Sequence, residues 1–204
     1  MSSVMRSTIA VAAVAALSIL TGCSEPPQAE IDAVKAAVAS AEAADAATYA
    51  PAELEAAREA ERAAVAEVEA QKAKFVLSRS YEKATEMLAD AAAKADDARV
   101  AAVTNREEAM AAANDAVEAL TGQLTAVEAD LAALGSCRRA PKGFAQDLEL
   151  MRGKVEALSA QVAELEAQVA AERFLEAGDL AATIEPEMTA VATDLAGARE
   201  KLGC

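Results

Sequence analysis

Two heptad series, running in opposite directions about one proline, constrain the fold of this chain more than any other feature. The first reads Met110, Ala113, Val117, Leu120, Leu124, Val127, Leu131, Leu134; the second reads Leu148, Met151, Val155, Leu158, Val162, Leu165, Val169. Each alternates steps of three and four residues, the spacing that holds one apolar stripe of a helix against a partner helix. Leu134 and Leu148, Leu131 and Met151, Val127 and Val155, and so on to Ala113 and Val169, lie at equal distances from Pro141. Folding the chain at Gly135–Gly143 brings every a position opposite a d position, as an antiparallel hairpin requires. The competing arrangement is a parallel homodimer, because Val155, Val162 and Val169 at a, opposite Leu158 and Leu165 at d, suit two parallel strands. The short linker favours the intrachain hairpin.

The rest of the chain has the same character. Hydrophobic residues make up 54% of it but aromatic ones only 2%, with no Trp, and alanine supplies most of the difference. Alanine is the best helix former and a poor core filler, so long helices in close approach are expected instead of a bulky core. The pattern predicts an Ala-rich helix over Ile31–Ala47 and a second from Pro51 to Leu77. The second would carry Leu54, Ala57, Ala64, Val65, Val68 and Phe75 on one face, with Pro51 suiting its first position. Ser78-Arg79-Ser80 breaks the pattern, and Ser80 is the expected N-cap of a third helix from Tyr81 to Leu134. That helix would be about 80 Å long at 1.5 Å per residue. A fold-back at the break sets Phe75 beside Tyr81, Val68 beside Leu88, and Val65 beside Ala91. After Phe174-Leu175-Glu176-Ala177-Gly178 a further turn is expected, with Thr183 capping a last helix and Pro186 in its first turn. Met188, Val191, Leu195 and Leu202 would then pack on the earlier pair and return Cys204 toward the Cys137 loop. The similar steps Phe75 to Tyr81 and Phe174 to Leu180 also raise a duplicated hairpin. The fold class is all-α: extended antiparallel helical hairpins forming a coiled-coil bundle of about five helices.

The N-terminal segment reads as an address. Arg6 precedes an uncharged apolar stretch, Thr8 to Leu20, that is too short for the roughly 20 residues of a spanning helix. Leu20-Thr21-Gly22-Cys23 resembles the bacterial lipobox. That resemblance implies diacylglyceryl transfer to the Cys23 thiol, cleavage before it and acylation, palmitate included, of the new amino terminus. Several acyl chains together anchor a protein stably where one does not. Ser24 follows where an aspartate would resemble an inner-membrane retention signal, so the outer membrane is the expected location, with the protein facing the periplasm. The segments expected are a signal peptide at 1–22, a lipidated tether at 23–30, an Ala-rich helical hairpin module at 31–109, and an antiparallel coiled-coil hairpin plus C-terminal helix at 110–204. With three cysteines in all, lipid on Cys23 leaves Cys137 and Cys204 as a candidate disulfide in an oxidising compartment. Two free thiols or an intermolecular bridge are the alternatives.

Tyr49-Ala50-Pro51-Ala52-Glu53-Leu54, then Ala57, and Tyr81 followed by Ala84, Leu88 and Ala91, form a moderately specific pattern. On these residues the stretch 28–103 resembles the bacterial lipoprotein family known as domain of unknown function 4398. The resemblance implies a short helical hairpin module in cell-envelope lipoproteins, sometimes beside peptidoglycan-binding domains, with no established activity. Nothing resembling such a domain follows residue 104.

Chemistry is not evident in the chain. It has no His, the commonest general base and metal ligand, and its acidic residues fall at helical spacing on polar faces. No catalytic constellation, cofactor, metal site or small-molecule substrate is expected. The net charge of −15 disfavours nucleic acid and anionic surfaces, and loss of Arg6 with a signal peptide makes it one unit more negative. The expected role is that of a lipid-anchored structural or interaction protein, held to the membrane by its N terminus and acting through self-association or an envelope protein partner. An adaptor or accessory subunit of an envelope transport or secretion complex is the alternative. Arg138, Arg139 and Lys142 form a basic cluster in the Pro141 loop. It serves either to complement a helix dipole or to contact an anionic partner.

Overall fold

Every strong stripe in the sequence becomes a helix face. The computed structural model describes residues 25–137 and 141–203. Among these residues there are six α-helices, one 3-10 turn at Val76–Ser78, and no strand. They are α1 (Gln28–Ala43), α2 (Ala46–Tyr49), α3 (Pro51–Lys72), α4 (Glu82–Gly135), α5 (Phe144–Ala170) and α6 (Phe174–Leu202). The chain divides into two compact units, Met1–Val103 and Thr104–Cys204, with the division falling inside α4. Among the described residues no helix is long and apolar enough to cross a membrane.

In the first unit α1, α3 and the first part of α4 share one core. Ile31, Val34, Val38 and Ala41 of α1 meet Leu54, Ala57, Ala64 and Val68 of α3, and Ala84, Leu88, Ala91, Ala95, Ala98 and Ala102 of α4. The α4 stripe alternates steps of four and three and is alanine everywhere but Leu88. Methyl-sized side chains let neighbouring helices lie close, and dispersion contacts there depend on a fit with no slack. Arg58 of α3 reaches Glu42 of α1 at 2.6 Å, and Lys83 of α4 reaches Glu67 of α3 at 3.0 Å. These exposed pairs tie the helices in register but add little stability.

The turns explain where the helix ends differ from the sequence expectation. α1 starts at Gln28, whose amide donates to Asp32 at 2.9 Å, and stops at Ala43, not Ala47. Asp45 adopts the left-handed conformation (φ 59°), which Asp tolerates better than most residues, and redirects the chain into α2. Pro51 opens α3 as expected, but α3 ends at Lys72 and not at Leu77. Phe75 is therefore not on the packed face: it is 73% exposed, whereas Tyr81 is buried. Gln71 is the reason the helix stops there. Buried among apolar residues, its amide donates to Glu67 at 2.8 Å and its carbonyl accepts the Ser80 N–H at 3.3 Å. That places Ser80 outside the helix, and α4 begins at Glu82. The Gln71 amide, and after it Lys83, hold the Glu67 carboxyl below its ordinary value of 4.5. Folding thus favours the ionised form. Its contribution is complete above pH 4.5 and is lost as pH falls through the lowered value.

The second unit packs the rest of α4 with α5 and α6. Ala113, Leu120, Val127 and Leu134 face Val155, Leu158, Val162 and Leu165. Thr121 lies 3.5 Å from Glu166, and a methyl on Gly135 would meet Leu148 at 3.8 Å, so α4 and α5 run antiparallel about the expected centre. Met110 is 41% exposed because the turn after α5 stands where its partner would be.

α6 departs most from expectation. It begins at Phe174, nine residues before Thr183, and carries Pro186 in its interior. Thr183 is no cap; its hydroxyl donates to the Asp179 carbonyl at 3.1 Å. The stripe Phe174, Ala177, Ala181, Ile184, Met188, Val191, Leu195 is an unbroken heptad series and wholly buried. Burial of these side chains outweighs the roughly 3 kcal/mol that an interior proline costs a helix. Pro186 faces solvent, as does Ala182, whose carbonyl loses its helical donor and can be hydrated. Because Phe174 starts a helix and is buried while Phe75 sits in an exposed loop, the two phenylalanine steps are not structural equivalents.

Two stability predictions follow from this packing. Ala98→Leu inserts bulk into a fully buried, close-packed face and is expected to lower stability by about 1–3 kcal/mol, read by denaturant unfolding. Pro186→Ala is expected to raise stability by about 1–3 kcal/mol, seen as a higher unfolding midpoint with unchanged helix content.

Candidate partner-contact surfaces

Three surfaces of the second unit stand out for contact: its two ends and an apolar groove between α4 and α6. At the Pro141 loop, α4 is closed off by its own last turn: Ser136 N and Oγ both donate to Ala133 O, at 3.1 and 2.8 Å, and Cys137 N donates to Leu134 O at 3.1 Å. On the other side Gly143 sits at φ 95°, where a side chain would be strained. Its carbonyl accepts Gln146 N at 3.0 Å and starts α5.

Of the residues singled out from sequence, Lys142 is exposed at this loop and Cys137 is partly buried beneath it. Cys23, Arg138, Arg139 and Cys204 lie outside the described residues. Cys137 is disulfide-bonded, so its sulfur, 3.7 Å from Ala133 O, has no proton to donate and that approach is a packing contact. Leu202 and Lys201, at the end of α6, line a cleft of about 440 Å³ with Pro141, Phe144, Asp147 and Met151. The fold thus brings the α6 C-terminus to the loop, and Lys201 to the same end of the unit as Lys142. Arg199, one turn from that end, pairs with Asp130 of α4. Two cations in the last turn of α6 also complement its dipole.

Sequence reading missed the opposite end of this unit. Glu172 takes the left-handed conformation (φ 58°) after α5, with Glu172 N bonded to Val169 O and Arg173 N to Gln168 O, both at 3.0 Å. This is the Schellman helix stop, which glycine usually occupies. Here a glutamate bears the conformational cost, and its carboxylate pairs with Arg106 of α4. The Arg106 guanidinium also lies 5.6 Å from the centre of the Phe174 ring, a cation–π distance. One arginine thus holds both the strained turn and the first core residue of α6. No spacing rule announces such a pair, because the two charges are far apart in sequence.

The groove lies between α4 and α6, about 430 Å³ and walled by Ala109, Ala113, Ala116, Gly178 and Ala181, with Phe174 at one end. Its lining is apolar apart from Gln123 and Glu185. Among the described residues no three carboxylate or thiol groups converge as metal ligands. What these surfaces offer is apolar area and charge. No family model, curated protein or solved structure matches this chain.

The clamp is testable by a double-mutant cycle. With Arg106→Ala in place, Glu172→Gly is expected to stabilise the protein by about 1 kcal/mol, the relief of left-handed strain. With Arg106 present the gain should shrink by the worth of the half-exposed ion pair, a few tenths to about 1 kcal/mol. Equal gains in both backgrounds would show the pair to be idle.

Proposed function

We propose that this chain is a periplasm-facing lipoprotein of the bacterial outer membrane, anchored by acyl chains on Cys23, and that it serves a structural or interaction role without catalysis. The observation that carries this reading is Leu20-Thr21-Gly22-Cys23 closing an apolar stretch shorter than a membrane span. The architecture is consistent with it: two helical units, each burying its apolar helix faces in a core of its own, in a chain of net charge −15. The likeness of residues 28–103 to an envelope lipoprotein family points the same way. Cys137–Cys204 is proposed as the disulfide, supported by the bonded state of Cys137 and by Leu202 standing beside Pro141. Closing so long a loop would stabilise the fold by roughly 4 kcal/mol in the chain-entropy model.

A second reading, an adaptor in an envelope transport or secretion complex, rests on the cations at the Pro141 loop, where Lys201 lines a cleft with Pro141, and Arg138, Arg139 and Lys142 lie beside that proline in sequence. It fits an anionic partner surface.

Mass spectrometry of the mature N-terminal peptide from native membranes is expected to show an acylated Cys23, and Cys23→Ser is expected to abolish palmitate incorporation. Non-reducing peptide mapping should recover a Cys137–Cys204 cross-link. An unmodified, freely soluble mature protein would overturn the anchored role. Reversing Arg138, Arg139 and Lys142 to Glu separates the two readings: loss of a partner cross-linked in intact cells supports the adaptor, and an unchanged partner set removes it.

A further inference from the structure

The loop joining α3 to α4 shows an apolar surface that nothing in the first unit covers. Phe75, Val76 and Leu77 are consecutive and exposed, at 73%, 47% and 87%. Three adjacent apolar side chains in water are costly and rare on a protein that stays in water. The loop is well tied down. Ser78 N and Oγ both donate to Phe75 O at 2.8 Å, and Arg79 Nε donates to Lys74 O at 2.9 Å. At its base Gln71 accepts the Ser80 N–H. These hydrogen bonds fix the turn around the apolar triplet and satisfy the Phe75 and Lys74 carbonyls, so the three side chains are held in a defined turn.

Two further observations point to what covers it. The triplet is bracketed in sequence by Lys72, Lys74, Arg79 and Lys83, in a chain of net charge −15; Lys72 pairs with Glu69 at 2.7 Å and Lys83 with Glu67 at 3.0 Å, so Lys74 and Arg79 are the cations that flank the loop directly. Long cationic stems around an apolar tip are the arrangement that seats a segment at the boundary of headgroups and acyl chains. The start of the described chain stands at this same end of the unit: Glu25, Pro27 and Glu30 line one cleft with Arg79, Ser80, Tyr81 and Glu82. Cys23 is two residues before Glu25, a span of at most about 7 Å.

We infer that the Phe75-Val76-Leu77 loop is a second membrane contact, inserting into the interface of the phospholipid leaflet that holds the N-terminal anchor. The inference rests on the proposed acylation of Cys23 for its geometry, but the loop's affinity for lipid does not depend on it. Anchor and loop together would make two points of attachment and fix how the first unit stands on the bilayer. The carboxylates of Glu25, Glu30, Glu82 and Glu86 beside the loop oppose an anionic surface, so apolar insertion drives the contact and the cations orient it.

The chain has no Trp, so a single introduced indole reports one site. Full-length lipidated protein carrying Leu77→Trp, reconstituted into phosphatidylethanolamine–phosphatidylglycerol vesicles with brominated acyl chains, is expected to show blue-shifted and quenched emission. Leu150→Trp, at a 69% exposed position on α5, is expected to show neither. A second arm uses the unlipidated chain from Ser24, which contains all the buried core residues among those described. It should bind the same vesicles weakly, and replacing Phe75, Val76 and Leu77 with Ser should weaken that binding by on the order of tenfold per inserted side chain. Helix content should stay unchanged and the unfolding midpoint nearly so, since the three side chains are exposed and lie outside the buried core of the unit. Water-like emission of the Leu77→Trp protein on vesicles, with acylation of Cys23 confirmed by mass, would overturn the inference. So would a blue shift that needs protein concentration and no lipid, which would assign the triplet to a second copy of this chain. An unacylated Cys23 would remove the anchor while leaving the second arm to decide the loop.

Discussion

Close packing of narrow helix stripes is the interaction on which the rest of this molecule depends. A helix cannot bury its apolar face alone, and each stripe here is one or two residues wide, so it must be met by other stripes along its whole length. Both units solve this with three helices in heptad register. They differ in filling. The second unit uses Leu, Val, Ile, Met and Phe, whose bulk supplies most of the burial. The first relies on alanine along α4 and gains less area per residue, so its stability must come from proximity of backbones and from high helix propensity.

Such narrow seams leave the turns to do work that a larger core would do. Asp45 and Glu172 hold left-handed backbone without being glycine, and Gln71 is buried where an apolar residue would be expected. Each sits where the chain reverses. Gln71 converts that reversal into a fixed loop by meeting two neighbours at once, and Arg106 does so by pairing with Glu172 over the Phe174 ring. Polar groups that are satisfied in this way specify one register among several that an Ala-rich stripe would tolerate.

Most apolar stripes of the helices are thus buried within their own unit, while the reversal between α3 and α4 leaves apolar side chains in solvent. The exposed sides carry acidic residues at helical spacing, which keep the surface wetted and repel like-charged neighbours. Two departures from that pattern lie at reversals: an exposed apolar triplet flanked by Lys74 and Arg79 between α3 and α4, and Lys142 at the Pro141 loop.

Much of this was legible in the residues alone. The stripes of α4 and α5, their mirror about Pro141 and the all-α class follow from spacing, because a period of three and four leaves one solution for a buried face. Helix ends were less legible. α3 stops at Lys72 because a buried Gln71 needs Ser80, and α6 runs through Pro186 because Phe174, Ala177 and Ala181 extend its stripe upstream. In both cases local propensity pointed one way and tertiary burial the other, and burial won because it sums over many side chains. The apolar exposure of Phe75, Val76 and Leu77 was hidden for the same reason: sequence shows that a residue is apolar, but only the assembled fold shows whether anything is left to cover it. Order along the chain thus determined which faces must be buried, while the three-dimensional arrangement decided where helices end, which charges meet and which apolar groups stay in solvent, since those depend on partners distant in sequence.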